Sequence, residues 1–209
     1  MIDFWTWTTP NGRKVSILLE ELGLAYRVHA VDITQREQFD PAFLTVSPNN
    51  KIPAIRDNET GIVLMESGAI MIYLAEKSGR FLPDDLEGRH RTLEWLMWQM
   101  GGIGPMLGQA HHFLHFNPGK APYAEERFYG EAQRLYGVLD RRLDEMQYLA
   151  GDYGIADMAS WPWVSRFEWQ RIDLNDYPSV KRWYKEIAAR PAVQRGYHCP
   201  KEVNAIPQP

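Results

Sequence analysis

The hydrophobic pattern changes period near Pro83, and that change restricts the chain to a mixed α/β segment followed by a helical one. Before it, residues 2–7 are aromatic and β-branched and read as a strand. Val15, Leu18, Leu19 and Leu22 then fall at i, i+3, i+4 and i+7, one face of a helix. Thr9-Pro10 marks its start, a cap residue followed by a first-turn proline, and Gly23 marks its stop. Residues 26–31 read as a second strand, and residues 52–56 and 62–65 flank Asp57-Asn58-Glu59-Thr60-Gly61 as a hairpin. Ser67 is placed to cap a third helix over residues 68–77, stopped by Gly79.

After Pro83 strand signals nearly vanish. Leu93, Leu96, Met97, Met100 and Gly104 share one helical face, and Ala132, Leu135, Tyr136, Leu139, Leu143 and Met146 share another, which predicts two long helices paired as a hairpin. Asn117-Pro118-Gly119 and Ala121-Pro122 mark their connection. Residues 155–164 are apolar nearly all round, so a helix buried at the centre of the second segment is expected, kinked by Pro162. Tyr177-Pro178 and Arg190-Pro191 each set proline where a further helix begins. The expected division is 1–83 and 84–209.

Charge argues against nucleic acid as a partner. The whole chain is at −4, and division after Pro83 leaves both parts acidic, 8 basic to 10 acidic residues and then 15 to 17. The longest apolar run, residues 69–75, is far short of the roughly 20 residues that span a bilayer. Met-Ile-Asp-Phe-Trp at the start carries no basic leader, so a cytoplasmic protein is expected.

One cysteine, Cys199, permits no internal disulfide and no Cys-x-x-Cys redox pair, so any thiol chemistry needs a thiol from outside. Other residues carry recognition chemistry. The Ile52-Pro53 step, between an irregular segment and a strand, is open to a cis or a trans peptide; cis would turn the Ile52 backbone outward as a strand-like edge for a peptide ligand. Glu66-Ser67 at a helix start can hold an ammonium and a carboxylate side by side, or can be a plain cap beside a solvated glutamate. His111 and His115 stand i, i+4 but lack an acidic or cysteine partner, so no metal site is expected. Asp157 fits a buried capping role in the central helix, with Gly154 three positions earlier unable to return a side-chain bond.

Three stretches together carry a family resemblance. Ser47-Pro48-Asn49-Asn50-Lys51-Ile52-Pro53-Ala54-Ile55, then Met65-Glu66-Ser67-Gly68-Ala69-Ile70-Met71-Ile72-Tyr73-Leu74, then Tyr153-Gly154-Ile155-Ala156-Asp157-Met158-Ala159 resemble the cytosolic glutathione transferases over essentially the whole chain. Thr9-Pro10-Asn11-Gly12, Trp98-Gln99-Met100-Gly101-Gly102 and Gly108-Gln109-Ala110-His111-His112-Phe113 look most like the bacterial nu class. The resemblance implies an α/β thioredoxin-like N-terminal domain with a cis Pro53, an all-α C-terminal domain on the second-substrate side of a cleft, and a homodimer. It also implies glutathione-dependent reduction of disulfides, with one or two glutathione molecules per site. Conjugation of glutathione to electrophiles, and a non-catalytic interaction module, stay open as alternatives.

By that resemblance Asn11, Gln38, Lys51, Ile52, Pro53, Glu66, Ser67 and Arg127 bind glutathione, and His111, His112 and Phe113 lie near the second-substrate cleft. Thr9 and Asn11 occupy the catalytic place after the first strand. Neither is a redox group, but a hydroxyl, an amide and a helix N-terminus can each stabilise a bound thiolate.

Overall fold

Four short strands pair in the order β2-β1-β3-β4: β1 (Ile2–Thr6), β2 (Tyr26–Ala30), β3 (Ala54–Asp57) and β4 (Val63–Met65). The computed structural model describes residues 1–209. β1 runs parallel to β2 and antiparallel to β3, and β3 runs antiparallel to β4. The parallel pair needs a crossover, supplied by α1 (Pro10–Leu22), which Thr9 caps and Gly23 ends in the left-handed conformation, as the sequence indicates. The short α2 (Pro41–Leu44) precedes β3, and Val15, Ile17, Leu18 and Leu19 of α1 are fully buried with Phe4 and Ile55 of the sheet and Ile70, Met71 and Leu74 of α3 (Ser67–Ser78).

The third helix departs from expectation at its start. Ser67 is not the cap but the first helical residue; Glu66 precedes it at φ 71° and makes no side-chain capping bond. The Ser67 hydroxyl is instead engaged from below by a lysine, described with the site.

The chain divides into two compact units. One comprises Met1–Leu82 with Arg190–Ala205; the other comprises Pro83–Ala189 with Ile206–Pro209. Residues 190–205, read from sequence as part of the helical segment, therefore pack with the sheet. The helix Pro191–Tyr197 explains why. At Gly196 a Cβ would stand 2.7 Å from the Ile17 backbone, so only glycine admits so close an approach to α1. Ser16 donates to the Gly196 carbonyl at 2.7 Å, and the buried Arg13 guanidinium lies 3.6 Å over the Tyr197 ring. Arg190 and Arg195 pair with Glu21 and Glu20.

The second unit is helical: α4 (Leu86–Trp98), α5 (Gly104–Ala110), α6 (Pro122–Glu145), α7 (Ile155–Val164), α8 (Pro178–Ala188), with α9 (Pro191–Tyr197) belonging to the first unit. Wide helical turns over Gln99–Ile103 and His111–Phe116 extend α4 and α5. The buried stripe runs through Thr92, Leu96, Gln99, Ile103 and Gly104; Leu96 and Gly104 belong to the apolar face expected, Leu93 and Met100 are half-buried, and Met97 is 52% exposed. Thr92 can lie inside because its hydroxyl donates to the Gly88 carbonyl. α5 packs on α6, whose face from Ala132 to Leu143 is buried as expected, while Met146 lies beyond the helix end and is exposed.

Every residue of α7 is buried. Pro162 stands in its last turn, and the helix ends two residues later at Val164. Asp157 accepts from the backbone N–H groups of Leu149 and Gly154 and from Trp183 Nε1, at 3.0, 3.1 and 2.8 Å. With glycine at the cap, the Asp157 N–H returns to the Gly154 carbonyl instead of to a side chain. Burial raises this carboxyl to about 6 against the three hydrogen bonds that favour its ionised form.

Overpacking at the α1–α9 contact provides a test of the unit assignment. Gly196→Ala is expected to destabilise the protein by about 1–3 kcal/mol in chemical denaturation, because the Ile17 backbone cannot yield as a side-chain tip would.

Candidate functional site

Strand register brings the sequence-predicted residues of the first unit to one end of the sheet. Trp5 faces Ala54 across β1–β3, and Ala54 faces Met65 across β3–β4. The segment leaving β1 toward Thr9 and Asn11, the Ile52-Pro53 step entering β3 and the Glu66-Ser67 step leaving β4 therefore share that end. β2 leaves the sheet there too, with Thr6 opposite Ala30, and the chain continues to Gln38.

Each segment is held by an identifiable device. At the β1–α1 junction Thr9 Oγ1 accepts from the Gly12 N–H at 3.2 Å, so the hydroxyl proton is free to point elsewhere. Gly12 has no room for a Cβ against Thr6 Oγ1 and the Trp7 carbonyl, which lets the first turn of α1 close onto the strand end. Asn11 sits half-buried in that turn. The charge of Lys201 covers the Trp7 ring at 4.2 Å.

At the entrance to β3 the Ile52-Pro53 peptide is cis. Ile52 and Trp5 pack on a cluster of Val31, Phe43, Val46 and Ala54. Ser47, fully buried, donates to the Lys51 carbonyl at 2.7 Å and fixes the loop from below. Ser47 opens the motif of residues 47–55, and the sequence alone does not show its role; the signal for it is a small hydroxyl four residues before a turn's last carbonyl. Lys51 is exposed beside it. Gln38 lies in a short 3₁₀ turn, Glu37–Phe39, with its Oε1 buried and without a hydrogen-bond partner.

Where β4 leads into α3, Glu66 is exposed and carries its positive φ, while Ser67 is 4% exposed. Lys14 of α1 is 1% exposed and donates from Nζ to Ser67 Oγ at 3.2 Å. Burial pushes the Lys14 ammonium down to about 7, and the Glu66 charge draws it back up. Lys14 was missed from sequence, although it precedes Leu18 by four positions and so puts a charge on the buried face of α1.

Arg127, His111, His112 and Phe113 stand in the second unit. Arg127 is exposed on α6. His111 is buried: Gln170 Nε2 bridges its Nε2 at 2.9 Å and the Trp163 carbonyl at 2.8 Å, and Gln170 Oε1 accepts from the Tyr136 hydroxyl. Burial, with the charges of Arg166 and His115, pushes the His111 ring down to about 3, so it is a neutral core group. His115 stacks on Trp169 instead, apart from that network. His112 is exposed, and Phe113 stacks on Phe128 at 5.4 Å.

Cys199 is the only free thiol and is buried. It lies within reach of the Tyr26 hydroxyl, and burial beside Glu20 pushes it up to about 11. A thiol so protonated is a poor nucleophile at neutral pH.

Comparisons with known proteins identify the class of protein that carries this fold. Residues 7–81 match the glutathione S-transferase N-terminal domain and residues 103–191 its C-terminal domain. Disulfide-bond oxidoreductase YfcG of Escherichia coli is 52% identical over 92% of each chain. Disulfide-bond oxidoreductase YghU of the same organism is 44% identical over 93% of this chain and 73% of its own. A Pseudomonas putida glutathione transferase crystallised with one glutathione disulfide per subunit superposes with a TM-score of 0.90 at 45% identity, covering 95% of this chain and 91% of that one. A Burkholderia graminis glutathione transferase with two glutathione molecules per subunit gives 0.89 at 43%, covering 97% and 89%. This chain belongs to the glutathione S-transferase family.

The Glu66 backbone gives a prediction independent of any ligand. Glu66→Gly is expected to leave the unfolding free energy unchanged or raise it by about 1 kcal/mol, whereas Glu66→Val lowers it by about 1–2 kcal/mol, both read from denaturant titrations.

Proposed function

We propose that the protein is a glutathione-dependent disulfide-bond reductase that works with the thiolates of bound glutathione and no cysteine of its own. One observation carries the reading: the only cysteine is buried with its thiol pushed up to about 11, in a chain whose relatives include named disulfide-bond oxidoreductases. The redox thiol then has to be the ligand's. The proposed binding set is Asn11, Gln38, Lys51, Ile52, Pro53, Glu66, Ser67 and Arg127. The Ile52 backbone pairs with the cysteinyl amide, Glu66 takes the γ-glutamyl ammonium, and Ser67 with the first amides of α3 takes the adjoining carboxylate. Lys51 and Gln38 take the glycyl carboxylate.

Thr9 and Asn11 stabilise the thiolate. The Thr9 hydroxyl keeps its proton for donation, since its oxygen already accepts from Gly12. The first turn of α1 adds partial positive charge, and together these lower the thiol pKa. The bound thiolate attacks one sulfur of a disulfide RSSR, releasing RS⁻ and leaving a mixed disulfide with glutathione. A second glutathione thiolate attacks the glutathione sulfur of that mixed disulfide, giving glutathione disulfide and a second RS⁻. Two thiols are oxidised as one disulfide is reduced, and the protons lost by glutathione are taken up by the departing thiolates.

The reading places the chain in the nu class, for which the Thr9-Pro10-Asn11-Gly12 motif is the support, and in the cytoplasm, where a chain with no disulfide and a glutathione substrate fits a reducing compartment. It includes a homodimer. Exposed Ile62 and Val63 at the edge strand β4, and Leu86 and Met97 on α4, give each unit apolar surface to bury.

The test compares initial rates of glutathione-dependent hydroxyethyl disulfide reduction and aromatic-halide conjugation on one preparation. The expected result is clear disulfide reduction with weak conjugation; the reverse ratio favours a conjugating transferase, and silence in both a binding module. Asn11→Ala should raise the pKa of the bound thiol by about one unit and slow reduction roughly tenfold. An unchanged pKa and rate would remove Asn11 from the mechanism.

A further inference from the structure

A buried lysine under a proposed carboxylate subsite is an unusual place for a merely structural charge. Lys14 is 1% exposed on α1, and its Nζ lies 3.2 Å from the hydroxyl of Ser67, the first residue of α3. An ammonium can only donate, so the Ser67 oxygen accepts and its proton is turned away from Lys14. Ser67 opens α3, so its hydroxyl and the first amides of the helix belong to one turn, the part of a helix that suits an anion.

We propose that Lys14 is a positioning residue for the γ-glutamyl carboxylate of glutathione: its buried ammonium orients the Ser67 hydroxyl and places a positive charge directly behind the bound anion. The proposal rests on the glutathione reading above. A buried ammonium is costly to keep ionised, and a ligand carboxylate offsets that cost, so ligand and proton favour each other's binding.

The charged groups around Lys14 leave this coupling in place. Glu66, at the junction into α3, is the group whose charge acts on it. Elsewhere on α1, Glu20 and Glu21 are engaged by Arg195 and Arg190 of α9, and Arg13 lies on Tyr197. On α3, Lys77 is paired with Asp57 of β3 and with Glu59, and Tyr73 donates to Asp57. On β1, Asp3 is paired with His29. In the free protein Lys14 is pushed down to about 7, so the affinity for a carboxylate should fall as pH rises through that value.

The experiment measures binding of two probes by calorimetry: S-methylglutathione, which has no thiol to titrate, and its analogue with a 4-aminobutyryl group in place of γ-glutamyl, which keeps the ammonium and lacks the carboxylate. Wild-type protein should bind S-methylglutathione more weakly at about pH 8.5 than at about pH 6.5. Lys14→Met should weaken S-methylglutathione at about pH 6.5 roughly tenfold, change the analogue by less than about twofold, and flatten the pH profile. Lys14→Gln, which keeps a donor for Ser67 without the charge, should also flatten the profile with a smaller loss of affinity. Equal weakening of both probes, or no change in either, would overturn the proposal and leave Lys14 a structural residue. A wild-type protein that binds neither probe would overturn the glutathione reading itself and this inference with it.

Discussion

The antiparallel pairing of β1 with β3, with Trp5 opposite Ala54, is the contact on which the candidate site depends. A strand's chemistry is delivered at its ends, and this pairing sets the C-terminal end of β1 beside the N-terminal end of β3. The hairpin to β4 then returns the chain to the same end, at Met65. Helix N-termini, free backbone groups and polar side chains from segments far apart in sequence meet there as a consequence of register. A slip of one residue would turn the buried Phe4 and Ile55 outward, so the core that stabilises the sheet also fixes the site.

Desolvation distributes chemical roles among groups that the sequence makes look alike. Lys14 and Lys51 are both lysines near the candidate site, yet one is buried against Ser67 and the other exposed. His111 and His112 are neighbours, but His111 is locked neutral between Gln170 and Trp163 while His112 is exposed. Cys199 is similarly silenced by burial beside Glu20. In each pair the residue type is common and the environment decides whether it can act.

The sheet, α1, α3 and the buried α7 were legible in the sequence because local signals agreed there: period, caps and turn residues all pointed one way. The failures have a common cause, namely contacts between residues distant in sequence. Nothing local indicates that Gly196 will lie on Ile17, so the packing of the last helix against α1 was not legible. The buried stripe that runs from α4 into the wide turn after it passes through Thr92 and Gln99, polar residues that an apolar pattern passes over. Ser67 has the look of a cap, and only the arrival of Lys14 from another helix shows what its hydroxyl does. The backbone and charge devices at 52–53 and 66–67 were read chiefly through family likeness; residues alone left a plain cap and a trans proline standing.

In the proposed reaction the redox thiols come from glutathione and none from the protein. Cys199→Ser makes the chain cysteine-free, and its rate of glutathione-dependent disulfide reduction, per mole of folded protein, tests that claim directly. The expected rate is within about twofold of wild type, since a buried thiol of raised pKa contributes no thiolate. A folded variant with its disulfide reduction abolished would contradict it.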